Sequence, residues 1–163
     1  MSEKPKHIAL YTDGSARGNP GPAGYGIILE WIGTNYSKEF SKGFECSTNN
    51  RMELLAVIDG LAKINTPNCV ISVYSDSKYV TDAINKGWVY QWKAKSFKNR
   101  VNADLWKLFL AEIKKHQVEF IWIKGHNQHP QNERCDKLAF NAASGENLFS
   151  DTGYEGNDLN TLF

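Results

Sequence analysis

The chain is 163 residues long, 41% hydrophobic and 23% charged, with a formal net charge of +1. That length and balance fit one soluble globular domain with its own core. No run approaches the ~18 apolar residues of a membrane helix, the N-terminus has no secretory h-region, and Cys46, Cys69 and Cys135 form no CxxC pair. A membrane span, an exported disulfide scaffold and a zinc site are thereby disfavoured, and a cytoplasmic protein is expected.

His7 to Thr12 alternates, with Ile8 and Leu10 on one side, and predicts a strand. Gly18 to Gly24 is turn chemistry. Tyr25–Trp31 and Lys38–Cys46 predict two more strands of an antiparallel meander. From Asn49 to Lys63 the period becomes helical, with Leu54, Val57, Ile58 and Leu61 on one face. Asn50 with Glu53 three residues on resembles a capping pair. Val70–Tyr74 predicts a strand with Asp76 at its C-terminal end. Ser77–Asn85 predicts a helix with Gly87 past its end, and Trp88–Trp92 a further short one. Ala103–His116 predicts a helix, Val118–Ile123 a strand, Lys124–Gln131 a loop and Asn132–Ser144 a helix ended by Gly145. The pattern predicts an α/β fold: a mixed five-stranded sheet, antiparallel meander plus parallel strands, flanked by helices. In open α/β sheets sites form beyond strand C-termini, where Asp76 lies.

The net charge hides an asymmetry. The last 18 residues hold Glu146, Asp151, Glu155 and Asp158 and no lysine or arginine, which leaves 19 basic against 14 acidic residues in 1–145. The division expected is a domain over 1–145 and a flexible acidic tail over 146–163. Lys93, Lys95, Lys98 and Arg100 fall within eight residues. Such a patch suits an anionic partner.

Four acids stand out. Asp13 ends the first strand's run and opens a stretch with four glycines and two prolines, and Asp76 ends a later strand. Glu53 shares a helix face with Ala56, Val57 and Gly60, and Asp136 one with Ala139, Phe140 and Ala143. Arg51 and Asp59 fall on the opposite, polar stripe of the first helix. A carboxylate on a buried helix face is costly unless paired or bound to metal. Taken singly, each acid reads first as a cap, a turn residue or half of an ion pair, and the case for a site rests on all four together. Taken together, four converging carboxylates would repel, and divalent cations remove that repulsion. An oxygen-only donor set favours a hard ion, Mg²⁺ or Mn²⁺. Two such ions ~4 Å apart suit phosphodiester hydrolysis.

The motifs YTDGSARGNPGPAGYG, STNNRMELLAVIDGL, YSDSKYV, NADLW, KGHNQHPQNERCDKLA and DTGY, in this order, resemble bacterial type 1 ribonuclease H from about Ile8 to Tyr154. The resemblance implies the ribonuclease H-like fold. It also implies an endonuclease that cuts the RNA strand of RNA–DNA hybrids without sequence specificity. The products would carry 5′-phosphate and 3′-hydroxyl ends, and the cofactor would be Mg²⁺ with Mn²⁺ as substitute. The catalytic and metal-binding carboxylates would be Asp13, Glu53, Asp76 and Asp136. Asp13 would bridge two metals, Glu53 and Asp76 would serve the ion near the leaving oxygen, and Asp136 the ion that activates water. His126 would assist proton movement or product release, and Glu133 product release.

The same resemblance places Asn19, Asn49 and Asn50 at the hybrid's minor groove and Thr48 on a DNA-strand phosphate. Recognition of this kind reads 2′-hydroxyls and backbone shape. Trp88, Trp92, Lys93, Lys95, Lys98 and Arg100 would form a basic substrate-binding protrusion, and Trp106 is expected in the core beneath it. Nothing demands more than a monomer. Three features depart from the family pattern. Lys78 stands where a glutamine is frequent, KAKSFKNRV is a few residues short, and Phe140 occupies a place expected to be basic. A binding module without catalysis would be expected to lose some of the carboxylates. An actin-like or sugar-kinase-like ATPase would need a second domain for which there is no room. An integrase-like or resolvase-like nuclease would lack the TNNRME and KGH motifs.

Overall fold

The computed structural model describes residues 4–125 and 129–154. In chain order it contains β1 (His7–Ala16), β2 (Gly21–Trp31), β3 (Ser37–Ser47), α1 (Asn49–Ala62), β4 (Val70–Ser75), α2 (Lys78–Asn85), α3 (Trp88–Ala94), α4 (Ala103–Ile113), β5 (Gln117–Trp122) and α5 (Pro130–Ala143). The sheet order is β3-β2-β1-β4-β5. β1 to β3 form the antiparallel meander, and β4 and β5 add parallel to β1. Among the described residues no helix is long and apolar enough to cross a membrane.

β1 is central and apolar on both faces. Leu10 enters the larger core with Met52, Val57 and Leu61 of α1 and with Trp106 and Phe109 of α4. Its neighbours Ala9 and Tyr11 point the other way, to Ile28 and Cys135 under α5. α5 lies almost on the strand backbone. A Cβ on Gly26 would collide with the Cys135 carbonyl, and one on Gly24 would meet the Ala139 carbonyl at 2.5 Å. These glycines let α5, and so Asp136, approach the sheet.

Several boundaries differ from the sequence expectation. β1 does not stop at Thr12. It runs to Ala16, so Asp13 sits inside the hairpin opposite Gly26. The turn shrinks to residues 17–20 because Gly21 to Gly24 continue as strand. The cap of α1 is Thr48, whose hydroxyl accepts the Arg51 N–H at 3.2 Å, not the Asn50–Glu53 pair. Thr48 has the extended backbone a cap requires, while Asn50 is already helical. α5 begins at Pro130, two residues early. Proline fits a first helical position, where no N–H partner is needed, and His129 Nδ1 caps the turn by accepting from Asn132 N–H.

Arg51 is the largest departure. It is 2% exposed rather than on a solvated stripe. Its guanidinium donates to Asp104 at 2.9 and 2.7 Å, to Asp151 at 2.8 and 3.0 Å, and to Asn102 at 3.2 Å. Burial works against the charge, but the bonds to Asp104 and Asp151 outweigh it and hold Arg51 protonated. Asp151 also accepts from the Ser47 hydroxyl at 2.6 Å. Phe149 pairs with Phe44 on the outer edge of β3, its N–H donating to Gly43 and its carbonyl accepting from Glu45. The sequence reading of a flexible tail from residue 146 therefore does not describe residues 149–151. The buried arginine takes Asp151 as a second acid beside the more exposed Asp104, and an open strand edge recruits Phe149. Residues 155–163 lie outside the described residues.

Candidate functional site

Tyr11 of β1 pairs with Tyr74 of β4 in parallel register, and their rings stack at 4.8 Å. Two residues further along each chain, on the same face, come Asp13 and Asp76. The adjacent parallel strands thus deliver two carboxylates side by side. The third comes from α1, which packs against the β1 backbone at Gly14. A Cβ on Gly14 would lie 2.7 Å from the Glu53 nitrogen, so only glycine lets the helix bring Glu53 this close.

One carboxylate oxygen from each of Asp13, Glu53 and Asp76 lies within 4.8 Å of the others. Asp136 stands outside that tight group but bears on Asp13 from α5 by charge and by a side-chain hydrogen bond. The electrostatics follow from the crowding. Burial first, then the charge of Asp76, pushes Asp13 up to about 8 from an ordinary 3.8. Burial, then Asp13 and Asp76, drives Glu53 well above the usual carboxylate range. Glu53 Oε2 is buried without a hydrogen-bond partner. Buried carboxylate oxygens of this kind, in an all-oxygen set, fit a hard divalent cation.

The surroundings hold two features the sequence did not reveal. The Trp122 indole N–H donates to the Asp76 carbonyl at 3.0 Å, and the Lys78 ammonium sits 4.7 Å from the Trp122 ring centroid. Gly125, after β5, leaves a gap in which a Cβ would stand 2.8 Å from Asp76 Oδ2. Gly125→Ala is expected to turn the Asp76 carboxylate out of the cluster and to cut kcat about 10- to 100-fold. Steady-state cleavage rates check this, with an unchanged melting temperature as the folding control. His126, the next residue, lies outside the described residues.

The other expected site residues divide into two groups. Asn19, Thr48, Asn49 and Asn50 gather at the start of α1, where Asn19 Oδ1 accepts the Asn49 N–H at 3.0 Å. Glu133 is exposed on the first turn of α5. Trp88, 40% exposed, and the exposed Lys93, Lys95, Lys98 and Arg100 lie on α3 and the loop after it, apart from the carboxylates in the chain. Trp92 is half-buried against Trp106, with the Arg100 guanidinium over its ring at 4.7 Å. Trp106 is core, 1% exposed, as expected. Buried Phe97 pins the basic loop, an anchor hidden in sequence by its charged neighbours. Lys114, at the C-terminal cap of α4, joins the patch, and its charge holds Lys93 below the usual lysine range.

Comparison with known proteins agrees with this architecture. The RNase H family model matches residues 5–144. The ribonuclease H of Rippkaea orientalis is 46% identical over 166 residues, covering 99% of this chain and all of that protein. That of Aeromonas salmonicida is 51% identical over 155 residues, covering 92% and 98%. A solved type 1 RNase H with the type 2 active-site motif superposes with a TM-score of 0.78 at 27% identity, over 99% of this chain and 86% of that one. A match that spans the sheet, all four carboxylates and the latch at Asp151 leaves one assignment: this chain belongs to the RNase H family.

Proposed function

We propose that Asp13, Glu53, Asp76 and Asp136 are the carboxylates with which this RNase H hydrolyses the RNA strand of RNA–DNA hybrids, with Mg²⁺ as cofactor and Mn²⁺ as substitute. The observation that carries the reading is the convergence of Asp13, Glu53 and Asp76 from three elements, with an unpartnered buried oxygen on Glu53. When bound, such ions supply Lewis-acid polarisation of the phosphodiester and an acidified water. Asp13 would serve both ions, Glu53 and Asp76 the one that assists the leaving 3′-oxygen, and Asp136 the one that activates water. Products carry 5′-phosphate and 3′-hydroxyl ends. His126 moves a proton or helps product leave, and Glu133 aids release.

Asn19, Asn49 and Asn50 read the minor groove, where 2′-hydroxyls mark the RNA strand, and Thr48 takes a DNA-strand phosphate. Trp88, Trp92, Lys93, Lys95, Lys98 and Arg100 add sequence-independent affinity by neutralising phosphates. Neutralising Lys95 and Lys98 together is expected to flatten the dependence of log KM on log salt by about 1.8, at ~0.9 per phosphate contact. A salt series of initial rates tests it. Residues 1–145 carry the chemistry, and the segment around Asp151 latches them. All four carboxylates belong to one chain, so the proposed chemistry asks for no second copy, and the chain is taken to act as a monomer in the cytoplasm. Cleavage of hybrid, all-RNA and all-DNA duplexes side by side, with Mg²⁺ and with EDTA, tests the reading. Only the hybrid's RNA is expected to be cut.

A further inference from the structure

We infer that Arg17, seated on the ring of Phe140, grips a backbone phosphate of the nucleic acid beside the carboxylate cluster. The inference rests on the reading of the site given above. Arg17 lies at the tip of the β1–β2 hairpin, and its guanidinium carbon stands 4.6 Å from the Phe140 ring centroid. Phe140 is 49% exposed. It lies one helical turn, about 6 Å, past Asp136 on the same face of α5. A cation from one element and a ring from another therefore meet at the Asp136 rim.

The hairpin tip is held on both sides. The Arg17 N–H donates to the Pro22 carbonyl at 2.8 Å, and Gly21 leaves room that a side chain would take from the Arg17 carbonyl. Asn19 ties the tip to α1 through the Asn49 N–H. Phe140 then fixes the side chain from α5. Arg17 is thus placed, not merely exposed.

Its chemistry is left open. Arg51 is engaged by Asp104 and Asp151, and Arg134 by Glu39. Among the described residues, Arg17 has no carboxylate partner. Contact with a ring occupies no carboxylate, and the planar guanidinium fork matches two phosphate oxygens. Beside four carboxylates that repel a phosphodiester, an unpaired fork on a rigid mount supplies the opposite charge where the strand must approach.

The test uses the full chain with Arg17→Gln, Arg17→Lys and Phe140→Ala, each checked for wild-type melting, on an RNA–DNA hybrid over a salt series. Arg17→Gln is expected to raise KM several-fold and to lower the slope of log KM against log salt by about 0.9, with the loss in KM rather than kcat. Arg17→Lys keeps the slope and raises KM less. Phe140→Ala raises KM, and adds little on top of Arg17→Gln because both act through one contact. Adding Phe140→Arg to Arg17→Gln restores the slope, a rescue that a merely structural role does not give. Neutral methylphosphonate linkages, scanned through the RNA or the DNA strand, identify the source of the phosphate: the gripped strand is the one in which a neutral linkage erases the effect of Arg17→Gln. A folded Arg17→Gln protein with unchanged KM and slope overturns the inference, as does an effect that survives every neutral linkage. Wild type that cuts no hybrid in Mg²⁺ or Mn²⁺ overturns the underlying reading instead.

Discussion

Asp13→Asn is expected to melt several degrees above the parent chain at pH 8 in EDTA, while losing about a thousandfold in hybrid cleavage. Both effects have one cause. Asp13 is 5% exposed, and burial and its acidic neighbours, Asp76 foremost, push it up to about 8. In the unfolded chain it titrates near its ordinary 3.8. Between those values the folded state holds a proton that the unfolded state has released, so stability falls as pH rises. The penalty is absent below the unfolded value and complete above pH 8. The amide carries no such penalty. The gap in melting temperature between Asp13→Asn and wild type should therefore be small near pH 4 and widen steadily to pH 8. Millimolar Mg²⁺ should narrow it by stabilising wild type, the chain with the full ligand set. The loss of activity follows from removing the carboxylate that faces all three others; about 4 kcal/mol of transition-state stabilisation corresponds to that thousandfold. Melting curves across pH, with and without Mg²⁺, separate the two effects. A flat gap would mean that Asp13 does not titrate in the crowded state described.

The largest effect on stability is expected at Asp151. Asp151→Ala removes the acceptor for two Arg51 bonds and for the Ser47 hydroxyl. Breaking a buried ion pair costs about 3–5 kcal/mol, because the remaining charge stays buried and uncompensated. Asp104 still faces Arg51, which sets the cost near the lower figure. At roughly 2–4 °C per kcal/mol for a chain of this size, the melting temperature should fall by about 6–12 °C. Asp104→Ala should cost less, since that side chain is 43% exposed where Asp151 is 7%. Truncation after Gly145 should cost at least as much as Asp151→Ala, because it also strips Phe149 from the β3 edge. Calorimetry ranks the three. Equal melting of the truncated and full chains would contradict the latch.

The elements were legible where local pattern and tertiary packing agree. β1, β2, β4 and α1 carry alternation or helical spacing that the core then uses, as Leu10, Ile27, Val73 and Val57 show by their full burial. The carboxylates were legible because an acid on an apolar face contradicts its surroundings, and that contradiction is visible in sequence. What stayed hidden was fixed by partners distant in the chain. Arg51 looks solvated until Asp151, a hundred residues away, is brought to it. Thr48 becomes the cap because β3 ends extended beside it. Phe140 looks like a missing base until the hairpin places Arg17 on its ring. Gly125 and Trp122 gain meaning only beside Asp76. Local sequence encodes periodicity and caps, while nonlocal charge pairing and close backbone approach appear only once the sheet is assembled.

The most direct test of the account is a cleavage reaction on an RNA–DNA hybrid with end-labelled RNA, resolved at nucleotide length, in Mg²⁺ and in EDTA. The carboxylate site predicts internal cuts in the RNA strand alone, 3′-hydroxyl ends on the upstream fragments, and no product in EDTA. Cleavage that persists in EDTA, or that leaves cyclic or 3′-phosphate ends, would mean that attack comes from the 2′-hydroxyl and that the four carboxylates do not hold the metal for this reaction.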